Sequence, residues 1–142
     1  MKSPGVVLPR VNLWALTELV TRRAREGSLP TLALASDGWL FQWWVMEAPF
    51  ELPSGTAPGW HWQASVQAAF HCDVQAPTGL GAHGTGMAFC SASETSIDHD
   101  RGRRVALDRA LHQTGSLFTR TLRLEAWKRF EEHFGKRGGW GG

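Results

Sequence analysis

Hydrophobic and polar positions alternate with period two over residues 60–74. Trp60, Trp62, Ala64, Val66, Ala68, Phe70, Cys72 and Val74 share one face, and His61, Gln63, Ser65, Gln67, Ala69, His71 and Asp73 share the other. This pattern predicts a strand with one buried face. It is long for a strand, so a bulge or strong bend is expected near Ala68–Ala69. A second strand is predicted over Trp39–Glu47, where Trp39, Phe41, Trp43 and Val45 alternate with Leu40, Gln42, Trp44 and Met46. Both of its faces are largely apolar, which fits a central strand covered on both sides or a strand with one face used for contact. Thr31–Ala35 reads as its hairpin partner, because Asp37-Gly38 between apolar runs is a hairpin signal. Met87–Ser91 reads as a fourth strand, after a glycine-rich turn over Pro77–Gly86.

The other periodicities are helical. Leu13, Leu16, Val20 and Ala24 form one stripe behind Asn12, a competent N-cap, with Trp14 beside them. Arg22, Arg23 and Arg25 fall in the last turns, Gly27 is a C′ candidate, and Pro30 stops the helix. A second helix is predicted from Asp98 to Thr114, stopping at Gly115. Its small-residue stripe, Gly102, Ala106 and Ala110, permits close packing. A third helix is predicted over Thr119–Phe134, with Phe118, Leu122, Ala126, Phe130 and Phe134 repeating every four residues. Leu117–Leu124 can alternatively begin as a strand. Pro49–Gly59 holds three prolines and reads as a loop.

The expected fold class is therefore α+β. It is a four-stranded antiparallel meander sheet, with an N-terminal helix and two C-terminal helices packed on one face. Residues 1–134 make a single domain, followed by a flexible Gly-rich basic tail over residues 135–142. The 142 residues suffice for one real core. No apolar run is long enough for a membrane helix. Two cysteines, Cys72 and Cys90, make no disulfide framework.

Charge changes this picture more than composition does. The net charge of +2 hides a segregation, since residues 31–99 contain no Lys or Arg and six acids. The flanking segments carry all 15 cations. Such a dipolar chain acts through association and steering. A cation-free sheet also argues against a nucleic-acid site on the sheet. A basic helical face with Arg101, Arg103 and Arg104 leaves direct nucleic-acid binding as a secondary reading.

Candidate chemistry is sparse. Gly79-Leu80-Gly81-Ala82-His83-Gly84 matches G-x-G-x-x-G by letters, but a strand follows where a phosphate loop needs a helix. His61, His71, Cys72, Cys90 and His99 lack zinc-ligand spacing, and His71 and Cys72 point to opposite faces. Cys72 reads as a small core residue. Asp98-His99-Asp100 near Ser96 is explained by helix capping. Neither a catalytic residue nor a metal site is assigned, and the chain is expected not to be an enzyme. Trp44 lies off its strand's main apolar face, and an exposed Trp is a typical binding anchor. The expected partner-binding residues are Trp44, the loop Phe50-Glu51-Leu52, and Lys136, Arg137 and Trp140 of the tail.

One stretch resembles small phage proteins. Gly86-Met87-Ala88-Phe89-Cys90-Ser91, then Glu94, then Gly102-Arg103-Arg104-Val105-Ala106-Leu107-Asp108-Arg109-Ala110-Leu111 is similar to their strand ending in Cys-Ser, acidic residue and G-R-x-x-A-x-x-R-A helix. It covers 26 of 142 residues. The family's aromatic after the acidic position is absent, and the spacing is one residue longer. Usage adds to it: 12 Arg against 3 Lys, a lone Asn12 and no Tyr, as a GC-rich coding sequence produces. The chain as a whole resembles phage-encoded host-takeover proteins, in particular RNA-polymerase-binding inhibitors of Thermus phages. That resemblance implies a non-enzymatic protein of the host bacterial cytoplasm. It would bind the flap region of host RNA polymerase and inhibit or redirect transcription, without cofactor, small-molecule substrate or membrane. An inhibitor of another host enzyme, or a nucleic-acid-binding accessory protein using its basic helices, are the alternatives. The resemblance carries over no binding residues.

Overall fold

The computed structural model describes residues 10–52 and 63–136. In chain order the elements are β1 (Arg10–Asn12), α1 (Leu13–Arg25), β2 (Leu32–Ser36), β3 (Trp39–Glu47), β4 (Gln63–Gln75), β5 (His83–Ser91), α2 (His99–Leu111) and α3 (Arg120–Phe134). The fold is α+β, as the alternating periods require. Strands β2 to β5 form the expected antiparallel meander. The sheet has a fifth strand, because β1 pairs antiparallel with β4 through Arg10↔Ser65, Val11↔Ala64 and Asn12↔Gln63. Three residues are too short for a period-two signal, so the pattern alone missed it. Between β2 and β3 the chain reverses through Asp37 (φ 47°) and Gly38 (φ 88°), with Ser36 opposite Trp39. Two consecutive left-handed residues match the twist of a two-residue hairpin.

The helices lie on both faces, which corrects the one-face expectation. On one face α2 and α3 bury Trp39, Phe41 and Trp43 of β3 and Ala68, Phe70, Cys72 and Val74 of β4 beneath Ala106, Leu107, Ala110, Leu111, Ala126 and Phe130. On the other, Leu16 and Val20 of α1 pack with Val11, Val66 and Ala69, flanked by Met46, Met87 and Phe89. The reason is visible in β3. Its two apolar faces both need cover from water, and helices on one side supply only half of it.

The predicted irregularity of β4 falls slightly earlier than expected. Val66 pairs with Ser91 and Ala68 with Cys90, so the register shifts between Val66 and Ala68. Gln67 is the extra residue. Its side chain donates to the carbonyls of Ser91 (2.8 Å) and Glu94 (2.6 Å), and its own carbonyl accepts from Ala48 N–H at 2.8 Å. The bulge sends Ala64 and Val66 to the α1 side, while Ala68, Phe70, Cys72 and Val74 face α2 and α3. The single face expected over this strand is therefore broken at Gln67 among the described residues. Trp60 and Trp62 lie outside the described residues.

Strand β5 begins at His83, four residues before the predicted start, so the glycine-rich turn is shorter. Gly84 and Gly86 belong to the strand. A Cβ on Gly86 would collide with backbone atoms of Ala106 and Ala110, and one on Gly84 with the Ala110 carbonyl. The small-residue stripe of α2 and the missing side chains of β5 thus bring the two backbones into direct contact. Helix α2 ends at Leu111, earlier than Thr114. Leu117 has φ 65°, and Arg120 to Leu124 are helical, so this stretch starts no strand.

Charge segregation becomes spatial. Strands β2 to β5 fall within the cation-free segment, so the cations of α1 lie on one side of the sheet and those of α2 and α3 on the other.

Candidate partner-binding surfaces

Helix α1 is positioned by its cap. Asn12 Oδ1 accepts from Trp14 N–H at 2.9 Å and Ala15 N–H at 3.2 Å. That fixes the helix phase so that Leu16 and Val20 face the sheet. The same phase turns Trp14 outward, where it is 60% exposed. Trp14, Glu18, Arg22 and Arg25 follow at spacings of four, four and three, which is one helical stripe. Thr17, Glu18, Thr21, Arg22 and Arg25 line a shallow depression of about 350 Å³. Among the described residues, Arg22, Arg23 and Arg25 form no ion pair.

A larger groove, about 800 Å³, runs between α2 and α3. Asp108 and His112 form one wall, and Arg120, Leu124, Trp127 and Glu131 run along α3, with Lys136 at one end. Leu124 is 61% exposed.

A third cavity, about 180 Å³, lies where β5 meets the start of α2. It holds the residues of the phage-like stretch: Cys90, Glu94, Gly102 and Arg109, with Asp98 and Arg101. Most of them have structural duties. Asp98 caps α2 by accepting from Arg101 N–H at 3.0 Å, and Arg109 donates to the Met87 carbonyl at 2.8 Å. Gly102 faces the Phe70 ring. Burial, then Glu94, pushes the Cys90 thiol up, so it is not an activated nucleophile.

The tertiary arrangement distributes the expected binding residues unevenly. Trp44 is interior, a correction to its reading as an exposed anchor. Its indole N–H donates to the Ser28 carbonyl at 3.0 Å and its ring meets His71 edge-on at 5.7 Å. The cause is α1, which covers the face that sequence left open. Phe50 and Leu52 are partly buried against the α1 cluster, and Glu51 is exposed. Lys136 is exposed; Arg137 and Trp140 lie outside the described residues.

The basic helical face is also corrected. Arg101 is exposed and Arg103 half-buried. Arg104, however, points inward: it pairs with Asp100 at 2.8 Å, donates to the Gly135 carbonyl at 2.6 Å, and lies 4.7 Å over the Phe130 ring. A cation held between two helices offers nothing to a phosphate.

The remaining sequence candidates resolve into structure. Asp98 caps, Asp100 pairs, and His99 meets Phe70 edge-on at 5.9 Å. Gly79 and Gly81 occupy left-handed turn positions before β5, and Gly84 is in the strand, so the G-x-G-x-x-G letters describe a hairpin. His71 and Cys72 do face opposite sides. Burial pushes the Cys72 thiol well up, with Asp73 adding to it, and lowers His71, which sits beside Met87 Sδ at 3.2 Å. Among the described residues no three His, Cys, Asp or Glu side chains cluster as metal ligands. No described helix is long and apolar enough to cross a membrane.

Sequence reasoning missed Trp14 as an exposed aromatic. The signal was present: Trp14 lies off the Leu13, Leu16, Val20, Ala24 stripe and shares a face with Glu18 and Arg22. No family model, curated protein or solved structure matches the chain.

Proposed function

We propose that this chain is a non-enzymatic binding protein that docks on a host protein through the outer face of α1. The observation that carries this reading is the combination on that face of a 60% exposed Trp14 with Arg22, Arg23 and Arg25. Trp and Arg are the side chains most enriched at interface hot spots. The opposed cationic layers around an acidic sheet add long-range steering. Taken with the phage resemblance, the host partner is RNA polymerase at its flap region, and the outcome is inhibited or redirected transcription in the bacterial cytoplasm.

The test is retention of purified bacterial RNA polymerase on the immobilised chain, paired with promoter-dependent transcription. Binding and inhibition are expected, with Trp14→Ala lowering retention tenfold or more. Retention of neither RNA polymerase nor another host enzyme would sink the proposal. The nucleic-acid reading has support in the same arginines, which can hold phosphates. Filter retention of DNA that falls steeply with salt, and is lost with Arg22 and Arg25 removed, would favour it instead.

A further inference from the structure

The β5 and β2 edges of the sheet are finished differently. Along β5 the outward backbone groups are covered: His83 N–H donates to the Ser116 carbonyl at 2.9 Å, Thr85 N–H to Gln113 Oε1 at 2.8 Å, and Arg109 to the Met87 carbonyl at 2.8 Å. Strand β2 ends the other side of the sheet without such cover. The phase of its ladder follows from two bonds. Ala48 N–H donates to the Gln67 carbonyl at 2.8 Å, so even-numbered residues of β3 bond to β4 and odd-numbered ones to β2. The Trp43 carbonyl accordingly accepts from Thr31 N–H at 2.7 Å. Leu32, Leu34 and Ser36 lie opposite Trp43, Phe41 and Trp39, so their backbone groups turn inward. Those of Ala33 and Ala35, opposite Gln42 and Leu40, turn outward. Among the described residues these N–H and C=O groups have no hydrogen-bond partner. Both side chains are exposed methyl groups, and Leu32–Ser36 holds no charge and no proline that would block a further strand.

We propose that β2 pairs antiparallel with the β2 of a second copy of this chain, joining the two sheets into one. A two-fold axis at Leu34 sets Ala33 opposite the partner's Ala35, and Ala35 opposite the partner's Ala33. Each is a pair that exchanges both bonds, so every outward group of Ala33 and Ala35 in the two chains is satisfied. Sliding the strands either way spoils this. It opposes Ala33 to Asp37 in the turn, or Ala35 to Thr31, whose N–H is already given to Trp43. A foreign peptide strand is selected through pockets for its side chains, and two exposed methyl groups form none. A second copy needs no such pocket, because symmetry supplies the matching strand. The charge nearest the edge, Asp37, is paired with Arg129 of its own chain, so it brings no unpaired charge to the contact. So short an edge makes a small interface, and the dimer dissociates on dilution. None of the α1 residues invoked for host binding lies on it, so the two readings stand apart.

The experiment is analytical ultracentrifugation of the full chain from about 1 µM to about 1 mM. Wild type is expected to show a concentration-dependent dimer. Ala33→Pro deletes an outward N–H and spares the bonds to β3, so it should fold and weaken the dimer at least about tenfold. Ala33→Lys combined with Ala35→Lys sets like charges opposite each other in both pairs and should abolish the dimer. Ala33→Glu combined with Ala35→Lys sets opposite charges there and should keep it. The two double variants change the same exposed positions, so a folding defect would strike both alike. A wild type that stays monomeric overturns the proposal. It does so whether the Ala33 and Ala35 amides exchange freely with solvent deuterium, leaving the edge bare, or are protected, giving the edge to a segment of the same chain. A dimer indifferent to the paired lysines also overturns it, as does one lost equally in both double variants. Trp14→Ala should leave the dimer intact while lowering host retention, which separates the two readings.

Discussion

The side chains of Val66 and Ala68, two positions apart on one strand, lie on opposite faces of the sheet. Val66 packs with Leu16 and Val20 of α1, and Ala68 with the layer under α2 and α3. Gln67 makes the exchange by adding one residue against β5. Removing its side chain should cost about 1 kcal/mol, because Gln67→Ala takes the side-chain donor from the Glu94 carbonyl and leaves the Ser91 carbonyl only the Glu94 N–H. The urea midpoint measures this. An unchanged midpoint would mean that the bulge is held by the backbone alone.

Glycine at position 86 is set by a backbone collision, and at position 102 by a side chain. Gly86→Ala drives a methyl into the α2 backbone, which cannot yield without moving the helix. Gly102→Ala meets the buried Phe70 ring, a side chain that yields by a smaller local shift than a helix backbone does. The first should cost about 3 kcal/mol or more, and the second about 1–2 kcal/mol. Thermal melts of the two variants side by side check the order.

Trp44 and Trp14 should separate stability from binding. Trp44→Ala is expected to lose about 3–5 kcal/mol, as truncation of a buried aromatic does. Trp14→Ala, at an exposed position, should stay within about 0.5 kcal/mol. Chemical denaturation measures both. A strongly destabilised Trp14→Ala would return that residue to the core.

His71 supplies a pH dependence with a definite sign. Burial lowers its folded pKa below 6.5; Asp73 opposes the shift and Arg25 reinforces it. The unfolded chain therefore takes up a proton first as pH falls. Stability is full above about pH 6.5 and is lost progressively below it, down to the lower folded value. His71→Leu should flatten the part of the stability profile that lies below about pH 6.5. The check is urea unfolding of both proteins across that range, and parallel curves would refute the assignment.

Arg104 should behave as a core residue. Arg104→Ala leaves Asp100 and the Gly135 carbonyl without their shared donor and strips the Phe130 face. A loss of about 2–3 kcal/mol is expected, below that for a fully buried pair because Asp100 is a third exposed. Arg104→Lys should not rescue it, since an ammonium cannot reproduce the planar fork. Arg101→Ala should change stability little. Comparative melts of the three variants decide this.

Local signals in the sequence determined most of the elements. Asn12 and Asp98 do cap their helices, while Thr119, expected inside the third helix, caps it from outside, its Oγ1 accepting from Leu122 N–H at 3.2 Å. The meander and its Asp37-Gly38 turn were legible because pleat, periodicity and turn chemistry act within a few residues. What lay beyond them depended on which surface covers which face. Periodicity shows that Trp44 and Met46 share a side, but only the docking of α1 decides that this side is interior and that Trp14 is left outside. Arg104 reads as surface charge until Asp100, Phe130 and Gly135 surround it. One extra residue at Gln67 reverses the environment of everything before it. The physical reason is common to all three cases. A residue's direction is set by its neighbours in the chain, whereas its burial is set by contacts made across the fold.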